Sequence, residues 1–227
     1  MKAKFLSIAA AAALALTAIG TVNAETVGGV EGGSTEALVP GGGLLSELAS
    51  ALSSENIKRY QGITARIADG GFTAAANVNF NTVAAPCHFI DTAPLRGAFQ
   101  GAFFAAPGLD GGATLDECSN FGVNALSPPN FLAFNNAASY TTGGVAKLPE
   151  IIAIPGGAIR VSMALSGGNM AGATMAIVAV GPGGVQDVQV LVTSAGFVTH
   201  TVTGTHISRL LLVGNPPSLV VDNILSN

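Results

Sequence analysis

The spacing of hydrophobic positions changes along the chain. Leu44, Leu45, Leu48, Ala51 and Leu52 recur every three or four residues, which predicts a short amphipathic helix from Leu44 to Lys58 and a connector to residue 62. Ser46 and Glu47 face outward, and Lys58 and Arg59 suit the negative end of the helix dipole. Its polar face is not basic, so the helix is expected to pack on the domain rather than on a membrane. From Ile63 the period falls to two. Phe72, Ala74, Ala76, Val78 and Phe80 alternate with small or polar residues, the pattern of a half-buried strand.

Further strands are expected at Ala98–Ala106, Phe131–Phe134, Ile151–Ile154, Ala158–Leu165, Ala173–Val180, Val185–Thr193, Phe197–Thr203, Ile207–Val213 and Leu219–Leu225. Pro155-Gly156-Gly157, Gly167-Gly168-Asn169, Gly181-Pro182-Gly183-Gly184 and Asn215-Pro216-Pro217 separate several of them as turns. Short strands with such punctuation and little helical pattern predict an all-β fold, an antiparallel β-sandwich of jelly-roll type over residues 63–227. The uncharged runs Ala173–Val180 and Leu210–Val213 are expected to form edges open to aggregation or assembly.

Charged residues make up 10% of the 227-residue chain, where about a quarter is usual. With 49% hydrophobic residues, the chain is not a polyelectrolyte-type disordered protein. A formal net charge of −4 argues against nucleic-acid binding, which needs a basic patch to release phosphate counterions. Uncharged Thr, Ser, Asn and Gln can instead cover the solvent faces of strands.

Residues 1–24 read as a secretory signal peptide. Lys2 and Lys4 precede the apolar run Phe5–Ile19, and Val22-Asn23-Ala24 supplies the small residues of a cleavage site. The run is short for a bilayer span, and no later apolar run is long enough, so the mature protein is expected outside the cell or on its surface without an integral membrane segment. Residues 25–43, rich in Gly and poor in large apolar side chains, read as a flexible arm. Cys87 and Cys118 form an even pair, which an oxidising compartment favours as a disulfide stabilising the fold by ~3–4 kcal/mol.

No catalytic constellation emerges. Asp110, Asp116 and Glu117 place three carboxylates beside Cys118; they could flank a glycosidic bond, but DGGATLDE reads as a solvated, tethered loop and lacks EF-hand spacing. His88, His200 and His206 are scattered, and Gly204 is expected to bend the chain between the last two. Ser194 lacks the first glycine of a nucleophile elbow, and Gly181–Gly184 lacks the Lys-Ser/Thr of a phosphate loop.

Two stretches, Asn77–Asn135 with VNFNTV and GLDGGATLDECSNFGVNALSPPNFLAFN, and the end ISRLLLVGNPPSLVVDNIL, resemble exported bacterial proteins of the PEP-CTERM type whose domains look like jelly-roll carbohydrate-binding modules. The sorting signal itself, a Pro-Glu-Pro motif with an apolar helix and basic tail, does not follow Asn227, so the resemblance does not imply membrane sorting. It does imply a structural calcium where Phe80 is followed by Asn81, with Asp222 as the second ligand, although Asn81 brings a carbonyl without charge. Alternatively, Asp222 caps the last strand by accepting backbone hydrogen bonds.

The resemblance also directs attention to sugar binding. The chain has no Trp, and its eleven Phe fall mostly at core positions. Asn120, Asn124, Asn130, Asn135, Asn136 and Tyr140 cluster in one connecting region, either as a ligand-binding loop or as turn chemistry. These features lead to a secreted, non-enzymatic protein with a matrix, adhesion or assembly role, self-associating if the arm adds a strand to a neighbour's sheet. The alternative is a polysaccharide-binding module assisted by calcium, and a glycoside hydrolase ranks third.

Overall fold

The computed structural model describes residues 42–53, 55–56, 75–87, 95, 97–105, 113–116, 121–134, 150–214 and 219–227. The expected signal peptide and most of the arm lie outside these residues. Among the described residues the chain forms helix α1 (Gly42–Ala51) and ten strands: β1 (Asn77–Val78), β2 (Gly97–Phe99), β3 (Ala102–Ala105), β4 (Ala113–Asp116), β5 (Phe131–Phe134), β6 (Glu150–Ser166), β7 (Thr174–Gly181), β8 (Gly184–Val192), β9 (Val198–Val213) and β10 (Leu219–Ser226). Every strand pairing is antiparallel. The all-β antiparallel class with one short helix is therefore the one the alternation predicts.

The strands belong to one hydrogen-bonded sheet that folds over on two long members. β6 and β9 have 17 and 16 residues, far beyond the usual strand. Each joins two segments expected as separate strands. Pro155-Gly156-Gly157 is a bend rather than a turn, and the β6–β9 register shifts between Ala153 and Ala158 and again before Arg160. At this bend Gly157 has φ +69°, and a Cβ there would lie 2.7 Å from Nε2 of His206, so any other residue would be strained and would have to push the imidazole aside. Before the bend, β6 pairs with β3 and with residues 209–212 of β9; after it, β6 pairs with β10 and with Ile207 and residues 198–203 of β9.

The two halves thus form facing layers, β2-β3-β6-β9-β7-β8 and β4-β5-β10-β6-β9, with β1 added to β10 as in a jelly roll. Their inner faces share the main core. Phe104, Ile152, Ile154, Ile177, Leu210 and Leu212 come from one layer, and Val78, Leu132, Val161, Met163, Val221 and Ile224 from the other. A second cluster lies on the outside of the first layer. There Leu44, Leu48 and Ala51 of α1 cover Ile151, Ala176, Val178, Val180, Leu211 and Val213. Phe121, Phe131, Ala133 and Val220 form a third cluster outside the other layer.

Three expectations change here. α1 begins at Gly42, inside the expected arm, and ends at Ala51 rather than Lys58. Its last turn tightens through Ser53 N–H to the Ser50 carbonyl, which also accepts from Asn56 Nδ2 at 2.8 Å. Ala98–Ala106 is not one strand but the β2–β3 hairpin, turned at Gln100-Gly101. The expected open edges are interior, because β7 lies between β8 and β9, and Leu210–Val213 lies between β6 and β7. A strand apolar on both faces is the mark of a central strand with cover above and below it, here the core and α1.

The edge that does need closing is the first half of β9. Side chains of β8 close it: Asp187 Oδ2 accepts Thr203 N–H at 3.0 Å, Gln186 Oε1 accepts Thr205 N–H at 2.7 Å, and Gln189 Nε2 donates to the Thr201 carbonyl. Side-chain amides and a carboxylate thus take the place of a neighbouring strand.

Candidate functional site

Four segments converge at one end of the sandwich: the exit of β1 through Asn79–Val83, the β2–β3 turn at Gln100, the loop Phe121–Asn130, and Asp222-Asn223 of β10. Gln100 holds the first of these. Its Oε1 accepts the N–H groups of Asn79 and Phe80 at 2.8 and 3.2 Å, and its Nε2 donates to Asn79 Oδ1 at 2.9 Å. Asn130, fully buried, holds the same segment from the other side by donating Nδ2 to the carbonyls of Phe80 and Val83.

Asp222 is also fully buried, at a bulge where β10 loses register with β6. Its Oδ1 accepts from Ser127 Oγ–H and Asn223 N–H, both at 2.8 Å, and its Oδ2 accepts from Ser127 N–H at 2.8 Å. Burial pushes the carboxyl above its ordinary range, while hydrogen bonds from Ser127, Asn223 and Leu126 pull the other way.

Among the described residues, all three non-glycine positive-φ positions fall in this network: Phe80 at 61°, Gln100 at 47° and Asn223 at 50°. Such backbone costs roughly 1–3 kcal/mol per residue and persists where surrounding contacts over-determine it. Above the network the surface is mixed. Thr82, Asn124, Pro128 and Pro129 are exposed, and so are Val83 and Leu126, at 37% and 51%.

The structure brings Asn81, Asn124, Asn130 and Asp222 of the expected sites to this end. Asn81 and Asp222 do not act together: Asn81 Oδ1 accepts Asn130 N–H at 3.4 Å, whereas Asp222 is taken by the Ser127 segment. The residues do not fit a calcium held between them, since the carboxyl's lone pairs already meet N–H and O–H donors. Asn120, Asn135, Asn136 and Tyr140 lie outside the described residues, as do Asp110, Glu117 and His88. Asp116 ends strand β4 instead of lying in a loop, because it pairs with Phe131. Cys87 is disulfide-bonded, and its expected partner Cys118 lies outside the described residues.

His200 sits opposite Met163 in the β6–β9 ladder, where desolvation lowers its pKa. Among the described residues no three His, Cys, Asp or Glu gather as a metal site. Ser194 donates to the Gly196 carbonyl within its turn, and Gly181 pairs with Gly184 to form the β7–β8 hairpin. Sequence reasoning missed Asn79, Gln100 and Ser127. Their partners are distant in the chain, with Ser127 and Asp222 separated by 95 positions, so no local spacing announces them.

No family model matches this chain, and no curated protein sequence matches it. Among solved structures, the K2 cleaved adhesin domain of Lys-gingipain aligns over 68% of this chain and 98% of its own, at 11% identity and a TM-score of 0.44. A family 11 carbohydrate-binding module from Clostridium thermocellum aligns over 68% and 98%, at 10% identity and a TM-score of 0.32. A family 29 carbohydrate-binding module covers 67% and 89%, at 11% identity and a TM-score of 0.29. At these scores no residue of this chain is matched to a ligand-contacting residue of theirs.

Proposed function

We propose that this protein is a secreted, non-enzymatic domain that binds polysaccharide through the loop end described above. The supporting observation is the exposure of Leu126, Val83, Pro128 and Pro129, together with Thr82 and Asn124, on segments held by one hydrogen-bonded base. A sugar ring offers an apolar face and a rim of hydroxyls, and recognition requires both kinds of surface held in place beforehand. The adhesion or matrix role expected from the sequence then acts through this contact and not through Ala173–Val180 or Leu210–Val213, which lie inside the sheet.

Secretion rests on the leader of residues 1–24, and the non-enzymatic reading rests on the sequence, in which no catalytic motif is complete. A panel of immobilised polysaccharides tests the function. Retention on at least one neutral polysaccharide, reduced about tenfold by Leu126→Ala with an unchanged melting temperature, supports it; a loss of this size corresponds to roughly 1.4 kcal/mol. Hydrolysis of a retained polysaccharide, or retention on none, overturns it.

A further inference from the structure

We infer that the Ser127–Asp222 clasp does at this end of the sandwich what a divalent cation would otherwise do, so that the domain folds and holds its loops without calcium. Three structural requirements meet here. The loop before β5 must be anchored, the strained exit of β1 must be fixed, and the buried carboxyl of Asp222 must be compensated. A calcium ion would satisfy all three with six to eight oxygens, usually several of them charged.

This chain satisfies them with hydrogen-bond donors. Ser127 gives Asp222 two, one from its N–H and one from its hydroxyl, each at 2.8 Å. Asn223 N–H supplies a third at 2.8 Å, and Leu126 adds a backbone hydrogen bond. A carboxylate offers about four lone-pair positions, so these donors fill it.

The other oxygens that could turn toward an ion are engaged in the same way. The carbonyls of Phe80 and Val83 accept from Asn130 Nδ2, and Asn81 Oδ1 accepts from Asn130 N–H. Ser127 Oγ, its proton given to Asp222, also lies 3.3 Å from the Asn79 carbonyl, so the clasp stands beside the β1 exit. Among the described residues, the one buried side-chain acceptor here without a protein donor is Asn130 Oδ1, a single neutral oxygen that a water can satisfy but that falls far short of a calcium shell. Where a cation would draw separate oxygens together, Ser127 and Asn130 link the same segments through the chain's own N–H and O–H groups.

The test does not depend on whether the loop end binds sugar. The full chain is dialysed against chelator, then melted with chelator and with millimolar calcium chloride, and calcium chloride is titrated into it calorimetrically. The expected results are equal melting temperatures and no binding heat. Ser127→Ala should lower the melting temperature by about 3–8 °C whether or not calcium is present. A calcium-dependent rise of roughly 5 °C or more, or a saturating one-to-one binding isotherm, overturns the inference. If Ser127→Ala does not fold, the wild-type melts and titration still decide.

Discussion

Gln186 binds both backbone groups of His206: Oε1 accepts the His206 N–H at 3.0 Å, and Nε2 donates to the His206 carbonyl at 3.0 Å. A primary amide has the same donor and acceptor as a peptide group, so one side chain stands in for one residue of an absent strand. Asp187 and Gln189 continue this substitution along β9. The sandwich is thereby closed on a side where two layers meet without a ladder.

Removing that closure should expose a pairing edge. Gln186→Ala is expected to cost about 1–3 kcal/mol, since it deletes several bonds to main-chain groups at once. The triple change of Gln186, Asp187 and Gln189 to Ala should also raise the apparent oligomeric state above that of the wild type. Denaturant midpoints read the first effect, and light scattering across a concentration series reads the second.

Gly157 and His206 are coupled at the bend of β6. Gly157→Ala must place a methyl group against the imidazole at φ +69°, and is expected to cost roughly 2–4 kcal/mol. His206→Ala in that background removes the overlap but not the backbone strain, so it should restore only part of the loss. A double-mutant cycle from chemical denaturation measures the two parts.

Helix α1 covers β7 by burying Leu44, Leu48 and Ala51. Changing Leu44 and Leu48 to Ser should strip that cover, cost about 2–4 kcal/mol, and expose Val178 and Val180 to solvent. Increased binding of a hydrophobic dye, with the far-ultraviolet β signal retained, is the expected signature.

The Asp222 carboxyl gives the fold a defined pH slope. Burial raises its native pKa above that of the unfolded chain, so the native state holds the proton more tightly. Its contribution is complete below the unfolded value near pH ~4 and is lost as pH rises through the raised native value. Asp222→Asn turns N–H donors toward Ser127 N–H and should be less stable throughout, but it should lack this slope. Urea midpoints for both proteins from acid to neutral pH provide the comparison.

Part of the fold was legible in the alternation that buries Ala76, Val78 and Phe80, because period two directly records which face meets the core, and in the continuous apolar runs of Phe131–Phe134, Thr174–Gly181 and Leu219–Ser226, which became strands. What misled was punctuation. Pro155-Gly156-Gly157 carries the residues of a turn, yet here they bend one strand between two layers, a choice made by pairing with β9 and not by local preference. The run Met175–Val180 is buried throughout and belongs at a sheet centre, whereas its lack of charge suggested an edge. The site was half legible. Asn81 and Asp222 were marked by the resemblance and Asn130 by the asparagine cluster, but the hydrogen bonds that fix this end also come from Gln100 and Ser127, across the fold.

The central claim is that the loop end binds polysaccharide. Its most direct test is an NMR titration of the isotope-labelled mature protein with an oligosaccharide from the best-retained polysaccharide. Saturable amide shifts should concentrate at residues 79–83 and 121–130 and be abolished or strongly reduced in the Leu126→Ala protein. Shifts centred on β8 and the first half of β9, or no saturable shifts with any retained sugar, would contradict it.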